Sequence, residues 1–296
     1  MIYYFDIHRT KVFGPSFRDC GVIQKNPVRG LVGMSALHSG LLYGTLPSSF
    51  FYPKPVFKGD DDKIIVFDTY ASSRLISWLS DTWPDKRVIH WYWNPVYYSG
   101  LKIQIPKRVE MWSFSKTDCA KYGMRYNTQF FFDCYAKEAG ECGSRGIPRN
   151  PRALFIGRDK GRMPVLEDLK ATLEGAGVEV DLRITKTVDT RMNFYVEKLL
   201  PYRKVIDLVK NADILLDYSR VPDAGLSLRP MEALFFGKKL ITNNLEILDS
   251  DFYNPANIYV LDRDKRTIKE FVDCPVEPVD PLIRDNYLLS NWLKRF

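Results

Sequence analysis

The sequence is poor in the residues that build metal and disulfide chemistry. Its three histidines, His8, His38 and His90, lie too far apart in the chain to suggest a metal cluster. Five cysteines (Cys20, Cys119, Cys134, Cys142 and Cys274) form an odd, scattered set with no C-x-x-C spacing. That argues against a disulfide framework and a zinc site, and for a reducing cytoplasm. Apolar runs are short, and none approaches the ~18 residues of a membrane span. The opening MIYYFDIHRTK lacks a basic region before a long apolar run, so it reads as a first strand and not as a secretory leader. There is no internal repeat and no low-complexity segment.

What is abundant is aromatic: six Trp, 17 Tyr and 18 Phe in 296 residues, enough to fill cores and still leave rings for ligands. The length fits two domains, each able to bury its own core. The formal charge of +7 suits an anionic partner, whether nucleic acid, a phosphate-bearing molecule or an acidic membrane surface. A merely soluble basic protein would carry the same number.

Strand-like runs alternate with helical patterns. Ile2–Asp6, Lys63–Phe67, Arg87–Trp93, Val109–Phe114 and Tyr126–Phe132 read as strands of a first half. Ser72–Leu79 and Asp118–Tyr122 read as its helices, the latter capped by Ser115 or Thr117 and stopped by Gly123. Residues 30–55 show no clear pattern. A shift to Gly, Pro, Ser and charge over 136–152 marks the boundary, with domains expected at 1–140 and 153–278, a linker at 141–152 and a terminal helix at 279–296. In the second half, Ala153–Ile156, Val178–Ile184, Ile214–Leu216, Leu240–Thr242 and Ile258–Leu261 are strands. Val165–Glu174, Tyr202–Lys210 and Pro230–Phe236 are helices. Such alternation implies an α/β fold with mostly parallel sheets.

Two loops of the second half look ready for an anion. Gly157-Arg158-Asp159-Lys160-Gly161-Arg162 joins a strand to a helix with three cations, although it is neither a P-loop nor G-x-G-x-x-G. Arg220–Arg229 could present the N–H groups of Gly225, Leu226 and Ser227 at a helix start, with Arg229 and Glu232 close behind. Each loop alone would be read as a solvated turn, and Glu232 as a complement to the helix dipole. In the first half, Asp68 ends a strand and either caps the next helix or serves a site. His90, inside an apolar strand, has the pattern of a core histidine. Trp91, Trp93, Asn94 and Tyr97 belong to an aromatic cluster able to stack on a sugar, although every second strand residue faces a core. Gly59-Asp60-Asp61-Asp62 invites a metal reading, but it precedes its strand and reads as a solvated turn.

The segments FDTY, HWYWNP, WSFSKTDCAKY, FIGRDKGR, LRPMEALFFGKKLITNN and DFYN together resemble small bacterial glycosyltransferases of the GT-B fold that assemble capsule, O-antigen and lipopolysaccharide, over roughly residues 63–296. The resemblance implies two Rossmann-like domains facing across a cleft, with a C-terminal helix returning to the first. It implies a nucleotide-diphospho-sugar donor, UDP-linked by expectation, with its ribose on Glu232 and its diphosphate on Arg158, Lys160 or Arg162 and the 225–229 loop. It also implies a saccharide or lipid-linked acceptor at the inner face of the membrane; Lys102, Lys107 and Arg108 could help docking there, although they read first as a solvated loop.

Retaining members of the E-x7-E type carry a Glu where this chain has Ala224, with Asp223 one place off, so inversion is the expectation. Inversion needs a base to deprotonate the acceptor hydroxyl. Asp68 is the first candidate, then Asp19 and His90. No cofactor or metal is expected, because the cations would carry the leaving-group charge. Two rivals remain: a GT-A enzyme holding a metal on Asp60–Asp62, and a non-catalytic nucleotide- or nucleic-acid-binding protein. Clustered Lys/Arg with interleaved exposed aromatics, the mark of the latter, is missing.

Overall fold

A computed structural model describes residues 1–5, 13–25, 52, 57–68, 73–101, 105–142, 148, 150–185, 200–222 and 224–296. The unpatterned stretch 30–55, apart from Tyr52, and Lys102 and Asp223 lie outside the described residues. The chain forms two compact units, Met1–Asn127 and Thr128–Phe296.

The first unit holds six parallel strands in the order β2-β1-β3-β4-β5-β6. They are β1 (Ile2–Phe5), β2 (Ile23–Lys25), β3 (Lys63–Phe67), β4 (Arg87–Tyr92), β5 (Glu110–Ser113) and β6 (Arg125–Tyr126). The run Ile64-Ile65-Val66-Phe67 is buried on both faces of β3, as an unbroken apolar strand must be in a covered parallel sheet. On one side Tyr3, Ile64, Val66 and Val88 meet Leu75, Ile76 and Leu79 of the helix Ser73–Thr82. Ser115 is the residue that caps the helix Lys116–Tyr122, accepting from Asp118 N at 3.1 Å, and Gly123 ends it in the left-handed region.

Two expectations change here. Asp60 and Asp61 are exposed, but Asp62 is not part of a solvated turn: it is only 3% exposed. It accepts from the N–H groups of Lys58 and Gly59 at 2.8 and 2.9 Å and pairs with the Met1 ammonium at 2.9 Å. Burial raises its carboxyl, but these donors prevail and hold it down at about 2. The expected strand Tyr126–Phe132 is also shorter. Only Arg125–Tyr126 pairs in the sheet, and the phenylalanines beyond belong to the second unit.

The second sheet is parallel with order β11-β10-β9-β7-β8. Its strands are β7 (Arg152–Arg158), β8 (Glu179–Thr185), β9 (Ile214–Asp217), β10 (Lys239–Thr242) and β11 (Ile258–Val260). Alternation divides the strands between two cores. Leu154, Leu215, Leu240 and Val260 pack with Val205, Ile206, Val209 and Met231 of the helices Tyr202–Lys210 and Leu228–Phe236. Ala153, Phe155, Ile214, Leu216 and Ile241 pack with Leu166, Leu169 and Leu173 of the helix Met163–Gly175, and with Phe271. One strand therefore serves both layers, because successive side chains point to opposite faces.

The end of the chain closes this unit. Two short helices, Pro281–Asp285 and Leu289–Leu293, stand where one terminal helix or a pair was expected. Phe131 N donates to Tyr287 O at 2.7 Å and Leu289 N to Phe131 O at 2.8 Å, a single parallel bridge. Trp292 is fully buried against Phe130 and donates its indole N–H to Thr128 O at 2.9 Å. The helix Asp133–Cys142, which runs into the expected linker, packs against the helix Leu228–Phe236. Among the described residues no helix is long and apolar enough to cross a membrane.

Candidate functional site

Each sheet has one place where the strand order reverses. Connections leaving it to either side open a crevice at the carboxyl ends of the two strands there. In the second unit that place lies between β7 and β9. Their register pairs are Ala153–Ile214 and Leu154–Leu215, near the amino ends. Beyond them the two strands lead into the loops 159–162 and 218–222, and most of the predicted donor residues stand here.

Cations dominate the crevice. Lys160 (φ 50°) and Gly161 (φ 73°) form a left-handed turn that brings Lys160 beside Arg158, Arg162 and Arg220. Burial, reinforced by those three guanidinium groups, pushes the Lys160 ammonium below the ordinary lysine value. Among the described residues, Arg158 and Arg220 make no ion pair. Asp159, between Arg158 and Lys160, is only 1% exposed. Its Oδ1 accepts from Arg162 N and Met163 N and so caps the helix Met163–Gly175.

Arg162 was a candidate anion ligand, but its guanidinium is directed at the protein. Nε donates to Asp159 O at 3.1 Å, Nη1 to Tyr218 O at 2.5 Å and Nη2 to Arg158 O. Its plane lies over the Phe155 ring, 5.0 Å from the centroid.

The helix Leu228–Phe236 begins at the same crevice. Ser227 caps it, accepting from Arg229 N at 3.1 Å while its hydroxyl donates to Asp217 at 2.9 Å. Asp217, the last residue of β9, also accepts from the Thr242 hydroxyl at 3.1 Å. Burial pushes its carboxyl up, opposed by Ser227, Arg229 and Thr242. Arg229 reaches across to Ile156 O at 3.3 Å and pairs with Glu232. Glu232 is 1% exposed, and Tyr202 donates to its other oxygen at 3.0 Å. Its carboxyl is raised by burial against the pull of Arg229 and Tyr202. Arg229 is thus committed to Glu232 and a carbonyl. Each Glu232 oxygen has one partner among the described residues and a second lone pair.

The 225–227 loop departs from expectation in one respect. Gly225 (φ 86°) does not offer its N–H outward, because it donates to Glu246 at 3.1 Å. Asn244 donates to Gly225 O at 2.7 Å and Gln129 to Leu226 O at 3.1 Å. Leu226 N and Ser227 N make no hydrogen bond to the described residues. Sequence reasoning missed Tyr202, Asp217, Thr242, Asn244 and Glu246 as members of this site. The only signal was Asp217 closing an apolar strand.

In the first unit the order reverses between β1 and β3, and Asp68 directly follows β3. It is 4% exposed and accepts from Trp93 N at 2.9 Å and from Asn94 N and Nδ2 at 3.3 Å each, tying the end of β3 to the turn after β4. Trp93 stacks on Phe67 at 5.8 Å, so Asp68, Trp93 and Asn94 do assemble. Trp91 is fully buried near Phe114, which leaves no open ring face for a sugar. Tyr97 is 66% exposed. His90 is fully buried, with Nδ1 3.2 Å from Val66 O and its ring edge-on to Tyr92. Asp19 is exposed at the end of the helix Phe13–Asp19, away from the strand end that carries Asp68. Lys107 and Arg108 are exposed, and Arg108 is bonded to Ser80 and Asp81.

A cavity of about 240 Å³ lies elsewhere in the second unit, lined by Ala233, Leu234, Phe236, Leu240, Ile258 and Val279 among others. It sits by the amino ends of β10 and β11 and the far end of the helix Leu228–Phe236. Its charged lining residues, Lys238, Arg284 and Glu277, are of both signs.

No protein-family model matches this sequence, and no curated protein matches it. No family is shown. The functional reading therefore rests on the fold and on the charges.

Proposed function

We propose that the chain is a glycosyltransferase of the GT-B type that takes its sugar from a nucleoside diphosphate carrier. The observation that carries this reading is the cation surplus at the β7–β9 crevice. Arg158, Lys160 and Arg220 gather at a strand-order reversal, the Arg158 and Arg220 guanidinium groups having no carboxylate partner among the described residues. Gathering two guanidinium groups around the half-buried Lys160 is unfavourable unless an anion joins them, and a diphosphate is the anion that such crevices of parallel sheets accommodate.

The chemistry then divides among named residues. Arg158, Lys160 and Arg220 would hold the diphosphate and stabilise the charge that grows on it as the sugar departs. The N–H groups of Leu226 and Ser227, at the positive end of the helix Leu228–Phe236, would add to this. Glu232, held by Tyr202 and Arg229, would accept from the ribose hydroxyls through its second lone pairs. Asp68 is the proposed base for the acceptor hydroxyl, supported by its position after β3 at the reversal of the first sheet. Asp60–Asp62 is disfavoured as a metal pair, since both Asp62 oxygens are engaged by N–H donors and the Met1 ammonium. The acceptor class, a saccharide on a lipid or core oligosaccharide, follows from the sequence resemblance alone.

The test is a calorimetric panel of UDP, GDP, ADP, UMP and uridine, followed by turnover of the matching nucleotide sugars. A diphosphate should bind at least tenfold more tightly than its monophosphate, and Arg158→Gln and Arg220→Gln should each cut that affinity about tenfold, near 1.4 kcal/mol. If no nucleoside diphosphate binds at millimolar concentration, the reading is wrong. Full transfer by Asp68→Ala would remove Asp68 as base.

A further inference from the structure

Arg162 looks like one more phosphate ligand, but its bonding partners say otherwise. Three of its five guanidinium N–H groups point to main-chain carbonyls: Asp159 O, Arg158 O and Tyr218 O. The first opens the loop after β7, the second ends β7 itself, and the third belongs to the loop after β9. One planar group therefore spans the strand-order reversal and ties its two banks together. Its flat face is backed by Phe155 at 5.0 Å, which fixes the plane as well as the reach.

Gly157 completes the arrangement. A Cβ there would stand 2.9 Å from Arg162 Nη2 and 3.2 Å from the Phe155 ring. A side chain here would meet the mobile end of Arg162 first, so the guanidinium is what would give way. The added methyl group would push the guanidinium off its carbonyls and leave every charge in place.

We infer that Arg162 is a positioning residue of the anion crevice: it binds the two loops to each other through three carbonyls, Gly157 makes room for it, and Arg158 and Arg220 are left to meet the ligand beside Lys160. This rests on the nucleoside diphosphate reading given above. Lysine cannot substitute, because a single ammonium cannot hold three carbonyls in one plane. At a direct phosphate contact, by contrast, lysine keeps the charge that matters.

The experiment compares Arg158→Lys, Arg162→Lys, Gly157→Ala and the Gly157→Ala/Arg162→Lys double variant, with UDP as the probe in calorimetry and the melting temperature as a fold control. Arg158→Lys should stay within about threefold of wild type. Arg162→Lys should lose tenfold or more although its charge is unchanged. Gly157→Ala should reproduce that loss, and the double variant should be no worse than either single one, since both remove the same tie. UDP affinity at the wild-type level in Arg162→Lys, or additive losses in the double variant, overturns the inference while leaving the diphosphate reading intact. If Arg162→Lys does not fold, Gly157→Ala decides alone, and unchanged affinity there overturns it. Failure of the wild type to bind any nucleoside diphosphate overturns both.

Discussion

The Tyr202 hydroxyl donates to Glu232 Oε1 at 3.0 Å across thirty residues of sequence, where Glu232 also meets Arg229. The Tyr202 ring is held edge-on by Phe132 and Tyr135, so the hydroxyl has little freedom to look elsewhere. Tyr202→Phe leaves that carboxylate oxygen short of a donor at a cost of about 1–3 kcal/mol in folding stability. On the proposed function, the variant also loses UDP affinity more than it loses pyrophosphate affinity, because only UDP carries the ribose. Equal losses for the two ligands would show that Glu232 does not serve the ribose.

Lys160 sits at φ 50°, where a side chain is crowded by its own backbone. Lys160→Gly and Lys160→Ala both remove the charge, yet only glycine relieves the crowding. Glycine should be the more stable of the two by about 1 kcal/mol, and both should lose UDP affinity alike. Thermal melts with matched calorimetry check this. A more stable alanine variant would mean that the turn is not strained.

Lys239 gives a pH dependence. It is fully buried, donates to Ala256 O at 2.8 Å and Phe271 O at 2.7 Å, and lies 4.1 Å from the centre of the Phe271 ring. Burial lowers it to about 8. Between about 8 and the ordinary lysine range, the folded protein binds fewer protons than the unfolded chain, so unfolding becomes harder as pH rises. Denaturant titrations from pH 7.5 to 10 should show a gain on the order of 2–3 kcal/mol in the wild type that Lys239→Met lacks. Parallel profiles for the two proteins would contradict it.

Trp292 packs on Phe130 at 4.6 Å and on Phe296 at 4.5 Å, and it is fully buried. Trp292→Ala should cost about 3–5 kcal/mol and expose 128–133 to proteases. Wild-type proteolytic resistance would show that the tail only decorates the second unit.

The strands were legible where apolar runs were long and uninterrupted, as in Ile64–Phe67 and Ile214–Leu216, because both faces of a covered parallel sheet select such residues. Ends marked by Gly123 and Gly237 were equally plain, since a left-handed stop favours glycine. Phe130–Phe132 misled because a buried crossing segment and a strand have the same composition. In the crevice the cations of 158–162 could be read directly, but their roles could not. Whether an arginine faces a ligand or a carbonyl depends on partners such as Tyr218, 56 residues away. Glu246 was silent for the same reason: it meets Gly225 N only because β10 lies beside β9.

The seam between Asp133 and Ser290 joins residues 157 apart in sequence. A ribosome releasing this polypeptide would have the whole first unit free while the second still lacked its closing residues. Phe130 and Phe131 would wait uncovered through that interval. Such distant closure carries a loop-closure cost that contacts nearer in sequence do not. Until that seam closes, uncovered phenylalanines invite aggregation.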